Sequence, residues 1–149
     1  MIIENDITYE RVPTGNGSNT TDMLGLIADD DVIIANNTAN NGNDLNLHAS
    51  IFCRNGSFTA ENYNTRGVEG TINLIGSISQ HDRGAVGNFS DGTLRNGYHK
   101  SYHFDPRLNN DKMYPPSFPS YYTFIPIVTN WWESPRNPQQ FGGSSRMSW

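Results

Sequence analysis

The sequence predicts an all-β fold of the solenoid class, in which short parallel strands stack in successive coils. Three observations favour this class: short apolar runs recur, polar turns separate them, and uncharged polar residues dominate the composition. Of the 149 residues, 17% are charged and 35% are hydrophobic, whereas typical domains have about 25% and about 45–50%, the latter counted with Gly. Asn, Ser, Thr and Gly make up the difference, as suits a protein with many polar turns.

The chain opens with a turn-rich stretch at residues 1–22, where Gly, Asn and Pro cluster at 13–19. We expect this stretch to form a loop-rich arm. Strand patterns begin at residue 23 and recur three times, each time as strand, turn and strand. The predicted strands cover 24–28, 32–35, 47–53, 57–60, 71–80 and 85–89.

The three units align with one another. One aligned set comprises Leu26, Ile51 and Ile78; a second comprises Ala28, Cys53 and Gln80. Spacings of 25 and 27 residues with one strand-turn-strand per unit are typical of a β-solenoid, because a single unit cannot bury its apolar face alone. The alternative is a β-sandwich in which the Asn-rich segment 36–46 is a polar loop. Asn residues are compatible with either interpretation of this segment, since Asn tolerates left-handed backbone conformations.

The last third of the chain differs from the rest. Aromatic and Pro residues crowd positions 98–132, and Pro excludes regular helix and central strand. We expect this segment to cap the stack, so that 23–133 forms the solenoid domain with its cap. Residues 134–149 read as a flexible tail.

Charge and cysteine content exclude some classes of protein. The net charge of −5 argues against general nucleic-acid binding. Cys53 is the single cysteine, so no internal disulfide forms, and its aligned position predicts burial. No run of about 18 apolar residues is present, and the first residues do not resemble a signal peptide. Either the protein is cytosolic or an export segment precedes this chain.

The order and spacing of several runs resemble a known family, the domain of unknown function 4900, found in bacterial proteins described as PilX-like or pilus-assembly-associated. The resemblance covers about residues 8–133. It is carried by DMLGLIA at 22–28, VII at 32–34, HASIF at 48–52, NGSFTAENY at 55–63, GSI at 76–78 with Gln80, RGAVG at 83–87 and YHFDPR at 102–107.

The resemblance implies a right-handed parallel β-helix-like fold and an exported protein of the cell envelope or surface. It implies protein partners in an envelope or pilus assembly, including further copies of the chain. Members carry an N-terminal hydrophobic segment that this sequence lacks, so membrane contact is expected only through a segment absent from this chain. The family implies no catalytic residues and no cofactor.

Metal-binding candidates are weak. The run Asp29, Asp30 and Asp31 offers hard oxygen ligands, but it lacks the spaced loop of a dedicated calcium site. A solvated turn is the favoured interpretation. The histidines do not follow a zinc-binding spacing; they are His48, His81, His99 and His103.

Catalytic motifs are absent from the sequence: it has neither a Gly-x-Ser-x-Gly elbow nor a phosphate loop. Because β-helices can cleave glycans with paired carboxylates, Asp82 with Arg83 and Asp105 with Arg107 are considered. Both pairs are more simply explained as turn-stabilising, since Arg can bond several carbonyls and Asp before Pro starts a turn.

Exposed aromatics remain as a candidate site. Tyr121, Tyr122, Trp131 and Trp132 could stack on sugar rings or on a partner protein, although sealing the core is the simpler role. We therefore expect a non-catalytic structural or adhesive domain of a bacterial envelope or pilus-associated protein. The alternatives are a carbohydrate-binding module, a β-helix glycan-cleaving enzyme, and self-assembly into a filament.

Overall fold

The computed structural model describes residues 1–15, 19–109 and 113–119. Within these ranges the chain forms β-strands and one short 3₁₀ helix, Pro106–Asn109. The strands coil into a β-solenoid of about four turns, which confirms the predicted fold class. The strands are β1 Ile2–Ile3, β2 Gly25–Ala28, β3 Val32–Ile34, β4 Leu45–Cys53, β5 Phe58–Ala60, β6 Val68–Gln80, β7 Gly87–Ser90 and β8 Thr93–Phe104.

Two sheets face each other across the core. The short sheet has the order β1-β3-β5, and the long sheet has the order β2-β4-β6-β8-β7. All pairs are parallel except β7 with β8. Successive strands along the chain alternate between the two sheets from β2 to β6, so each coil contributes one rung to each sheet.

The predicted alignment of the three units is confirmed to the residue. In the long sheet Leu26 pairs with Ile51, and Ile51 pairs with Ile78. The second aligned set is also one column of paired positions: Ala28, Cys53 and Gln80. Such agreement follows because a register slip by one residue would turn every core side chain outward.

Alternation along each strand places one face in the core. In β4 the side chains of Leu45, Leu47 and Ile51 are almost completely buried between the sheets. Val32 and Ile34 face them from the short sheet. Each such side chain contributes about 1.5–3 kcal/mol through removal from water. Cys53 is buried in this core as predicted.

The first rung begins well before residue 23. β1 pairs with β3, and Ile7 forms a bridge with Leu47. The expected loop-rich arm at 1–22 therefore contributes rungs to both sheets. The apolar side chain of Ile3 is buried in the core. Residues 8–24 are an insertion between Ile7 and β2, which both pair with β4.

β8 is a strand that the sequence analysis did not predict, since it assigned residues from 98 onward to the cap. A tight turn at Asp91 and Gly92, with φ of 52° and 76°, joins β7 and β8 as an antiparallel hairpin. β8 then pairs with β6 as the next rung of the long sheet. Tyr98 is completely buried in the core.

The Asn-rich segment closes a turn of the solenoid. Asn37 accepts hydrogen bonds from the backbone N–H groups of Ala39 and Asn40. Asn40 is buried, and its amide donates to the carbonyl oxygens of Ile3 and Ala35 at 3.2 and 3.0 Å. The segment is thus tied to two successive coils by side-chain hydrogen bonds.

Residues 113–119, the described part of the expected cap that follows β8 and the 3₁₀ helix, pack on the outer face of the long sheet. The Phe118 ring meets the Phe52 ring edge-on at 6.2 Å between centroids. A β-carbon at Gly25 would lie 2.9 Å from Phe118 and 3.0 Å from Pro115, so the absence of a side chain there allows this contact. The rest of the expected cap, 120–133, and the tail, 134–149, lie outside the described residues.

Candidate functional site

The aromatic site expected from the sequence lies outside the described residues. It comprises Tyr121, Tyr122, Trp131 and Trp132. The candidate sites below are therefore built from the solenoid itself, where side chains and their partners are described.

The acidic run 29–31 forms the turn between β2 and β3. Asp31 accepts hydrogen bonds from the Ser57 backbone N–H at 2.7 Å and from the Ser57 hydroxyl at 3.0 Å. Asp29 lies 3.5 Å from Arg54 and accepts from the Asn55 amide at 3.2 Å. These contacts link equivalent turns of two adjacent coils. No such contact is found for Asp30 among the described residues.

In the described ranges, no group of three or more His, Cys, Asp or Glu side chains could hold a metal ion. The histidines lie in different environments. Buried His48 accepts a hydrogen bond at Nδ1 from the Tyr9 backbone N–H, 3.1 Å away, and burial lowers its pKa. Exposed His81 pairs with Asp82 at 3.2 Å, so Asp82 contacts His81 rather than Arg83.

Asp105 and Arg107 form a buried ion pair, with Oδ2 and Nη2 2.6 Å apart and both side chains 1% exposed. Arg107 also donates to the Thr20 carbonyl at 3.2 Å, and its guanidinium lies 5.2 Å from the centre of the Tyr9 ring. The hydrogen bonds to Asp105 raise the pKa of Arg107. The pair fastens the segment after β8 to the 8–24 insertion across the outer face of the long sheet.

A second buried arginine, Arg66, also pairs with a carboxylate and lies against a tyrosine ring. Arg66 Nε donates to Glu69 at 3.1 Å, and both side chains are almost completely buried. Arg66 lies 4.9 Å from the centre of the Tyr98 ring and donates to its hydroxyl. The Tyr98 hydroxyl donates in turn to the Asn40 carbonyl at 2.9 Å. This network joins the turns of successive coils.

The inward positions of β8 are exposed, unlike their equivalents in earlier rungs. Lys100 and Tyr102 pair with Ile72 and Leu74, which are buried. Tyr102 is 40% exposed, and Phe104 at the next inward position is 57% exposed. No strand of the short sheet lies opposite this part of β8 in the described chain. We call the inward side chains of Lys100, Tyr102 and Phe104 the final-rung face.

A cavity of about 280 Å³ opens beside Tyr102 at this end of the stack. Phe58 and Ile78 contribute apolar surface to it, and its polar lining comes from Gln80, Arg83, Lys100 and Tyr102. We call it the cationic cavity. A second cavity of about 410 Å³ is also lined by Tyr102 and Ile78, together with Leu74 and Phe104.

The cationic cavity holds two positive charges close together. Burial, and then the charge of Arg83, lower the pKa of Lys100. Burial raises the pKa of Tyr102 to about 12, partly offset by Arg83, so its hydroxyl stays protonated at neutral pH. None of the ion pairs found in the described chain involves Arg83 or Lys100. The cavity can therefore offer hydrogen-bond donors and positive charge to an anion.

The site was not predicted from the sequence, because the aligned units ended at Gln80. Extending the alignment by one further unit of 28 residues would have placed Lys100 and Tyr102 beneath Ile72 and Leu74. A cation and a tyrosine at core positions would then have indicated an open end. Arg83, weighed with Asp82 as a catalytic pair and favoured as turn-stabilising, lines the same cavity.

Among the described residues, no helix is long and apolar enough to cross a membrane. Comparisons with protein-family models, with curated proteins and with solved structures found no match to this chain.

Proposed function

We propose that this chain is a non-catalytic adhesive domain that binds its target through the final-rung face. We further propose that it belongs to an exported, cell-envelope or pilus-associated bacterial protein. The compartment rests only on the resemblance of the runs between residues 22 and 107 to the pilus-associated family. The binding surface rests on the geometry of the last coil.

The main support for the proposal is that side chains at paired positions of the long sheet change from buried to exposed at the last rung. Leu47 and Leu74 occupy successive rungs and are buried, whereas Tyr102 in the next rung is exposed. Exposed apolar and aromatic surface on a soluble domain commonly marks an interaction site. Tyr and Arg are also enriched where binding energy concentrates.

A solenoid suits this role because its backbone is rigid across the site. β8 is hydrogen-bonded to β6 from Thr71 to Gly76, and buried Tyr98 anchors its start. The backbone of such a strand loses little freedom on binding, which favours affinity. No observation in the described residues favours the glycan-cleaving alternative, since Asp105 is buried against Arg107 and Asp82 against His81 is exposed.

Self-assembly is a second candidate function, and the free edge of β8 favours it. β7 pairs with β8 only up to Gly97, so within the described chain no strand pairs with residues 99–104 on this side. An exposed strand edge can accept a strand from another chain. In that case the final-rung face would pack against the first coil of a second copy.

The test compares the chain with a Tyr102→Ala/Phe104→Ala variant on an immobilised panel of neutral and acidic oligosaccharides, with light scattering to measure the oligomeric state. Phe89→Ala is the control, because Phe89 is an exposed aromatic on the adjacent strand β7. We expect the double variant to lose glycan binding and Phe89→Ala to retain it. Binding to no glycan by a monomeric chain would contradict the adhesive proposal, whereas concentration-dependent oligomers lost in the double variant would support self-assembly instead.

A further inference from the structure

We infer that the cationic cavity is a binding site for a carboxylate-bearing sugar residue, of the kind found in acidic polysaccharides. The inference rests on the proposed adhesive function and specifies its ligand. It follows from the chemistry of the cavity lining, from the charge of the whole chain, and from the fact that Tyr102 lines two cavities.

The polar groups that line the cavity are poised to donate hydrogen bonds. Gln80 Oε1 already accepts from the backbone N–H groups of Phe58 at 2.8 Å and Gly84 at 3.4 Å. Its amide nitrogen makes no hydrogen bond with the described residues and remains available. Arg83 and Lys100 can only donate. This lining selects a ligand rich in acceptor oxygens.

The local charge is opposite to that of the whole chain. The protein carries a net charge of −5, yet Arg83 and Lys100 line one cavity that has no acidic side chain among the described residues of its lining. Partial burial of Lys100 lowers its pKa, because loss of water disfavours the charged ammonium group. An anionic ligand would offset this cost of desolvation. Arg can bind a carboxylate with two parallel hydrogen bonds, and Lys adds a second charge.

Two features favour a sugar over other anions. The cavity of about 280 Å³ is much larger than a simple ion needs, and its apolar surface comes from Phe58 and Ile78. Tyr102 lines both this cavity and the second one, so a linear chain of sugar rings in contact with its ring could reach both. Two cations are too few for nucleic acid, whose affinity grows with the number of neutralised phosphates.

The experiment titrates the chain with trigalacturonate and with its fully methyl-esterified, neutral form, by calorimetry and by NMR. The variants are Arg83→Gln and Lys100→Gln, which remove charge but retain a long polar side chain. Arg95→Gln is the matched control, because Arg95 is an exposed cation on the same strand outside the cavity. Thermal unfolding establishes that each variant is folded.

We expect trigalacturonate to bind and its neutral ester to bind at least about tenfold more weakly, as loss of a charged hydrogen bond predicts. Arg83→Gln and Lys100→Gln should each weaken binding of the acid about tenfold or more, and Arg95→Gln should leave it unchanged. Binding of the acid should also weaken with added salt.

Three results would overturn the inference. Equal binding of acid and ester, with loss in Tyr102→Ala, would leave the adhesive function standing and exclude the carboxylate. Equal or tighter binding of hexaglutamate would show that the cavity takes an acidic peptide. Absence of trigalacturonate binding would exclude the site, and the adhesive proposal would then depend on the wider oligosaccharide panel.

Discussion

At the scale of single residues, two buried arginines hold the coils in place. Arg66 and Arg107 each lie over a tyrosine ring and each bind a nearby carboxylate, Glu69 and Asp105 respectively. A buried charge is tolerated only when it is paired and hydrogen-bonded. Arg66 also donates to the side-chain oxygen of Asn41, and Arg107 donates to the carbonyl oxygen of Thr20, so each connects chain segments that are distant in sequence.

Arg107→Met should destabilise the protein by about 3–5 kcal/mol, because it leaves Asp105 charged and buried without a partner. The double variant Asp105→Asn/Arg107→Met should recover much of this loss. The control is Arg54→Met, whose exposed pair with Asp29 should contribute about 0–1 kcal/mol. Urea unfolding measures all three. Equal losses in Arg54→Met and Arg107→Met would contradict the assigned role of the buried pair.

His48 should make stability depend on pH. Its pKa is lowered from 6.5 by burial, so the unfolded chain binds the proton more readily. The contribution of His48 is fully present above about pH 6.5 and decreases as pH falls through the lowered value in the folded state. His48→Asn keeps an acceptor for the Tyr9 N–H and should reduce this pH dependence in urea unfolding, whereas His81→Asn should not. An unchanged slope in His48→Asn would exclude this source.

At the scale of elements, the sequence predicted most of the rungs and their register. Spacing and turn residues were sufficient for β2 to β7, because a stack of parallel strands repeats its apolar positions. β1 was missed because two apolar residues are too few to show a period. β8 was missed because Lys100 and Tyr102 occupy inward positions, which removes the apolar alternation that marks a strand.

Gly76→Ala tests the close approach of adjacent rungs. A β-carbon at Gly76 would overlap the backbone carbonyl of Ala49 on the neighbouring strand, so β4 and β6 would have to separate. We expect a loss of about 1–3 kcal/mol or more. Gly67→Ala is the control, since its nearest neighbour would lie 4.0 Å away. Similar stabilities of the two variants in urea unfolding would contradict the described packing of β4 against β6.

At the scale of the whole molecule, the described part of the solenoid ends in an open coil. The sequence predicted the solenoid but not the site, because the site exists only where stacking stops. In the sequence, no motif links Arg83 with Lys100 and Tyr102. The fold brings these residues together around one cavity. Residues from the Tyr121–Trp132 region remain an untested candidate surface, since they lie outside the described residues.

The openness of this last coil is the central claim, and amide hydrogen exchange of β8 tests it most directly. Asp105 donates its N–H to Gly76 of β6, and Tyr98 donates on the opposite side to Val86. By the alternation of a parallel strand, the N–H groups of Ser101 and His103 point to β6. Those of Lys100, Tyr102 and Phe104 point to the opposite edge, where no strand pairs within residues 1–15, 19–109 and 113–119.

We predict that the amides of Lys100, Tyr102 and Phe104 exchange at least about a hundredfold faster than those of Ser101, His103 and Asp105. Amides in β4, which has a neighbour on each side, should show no such alternation. Uniform strong protection from residue 99 to residue 105 in the free, monomeric chain would mean that the edge is covered, and would contradict an exposed binding face at the final rung.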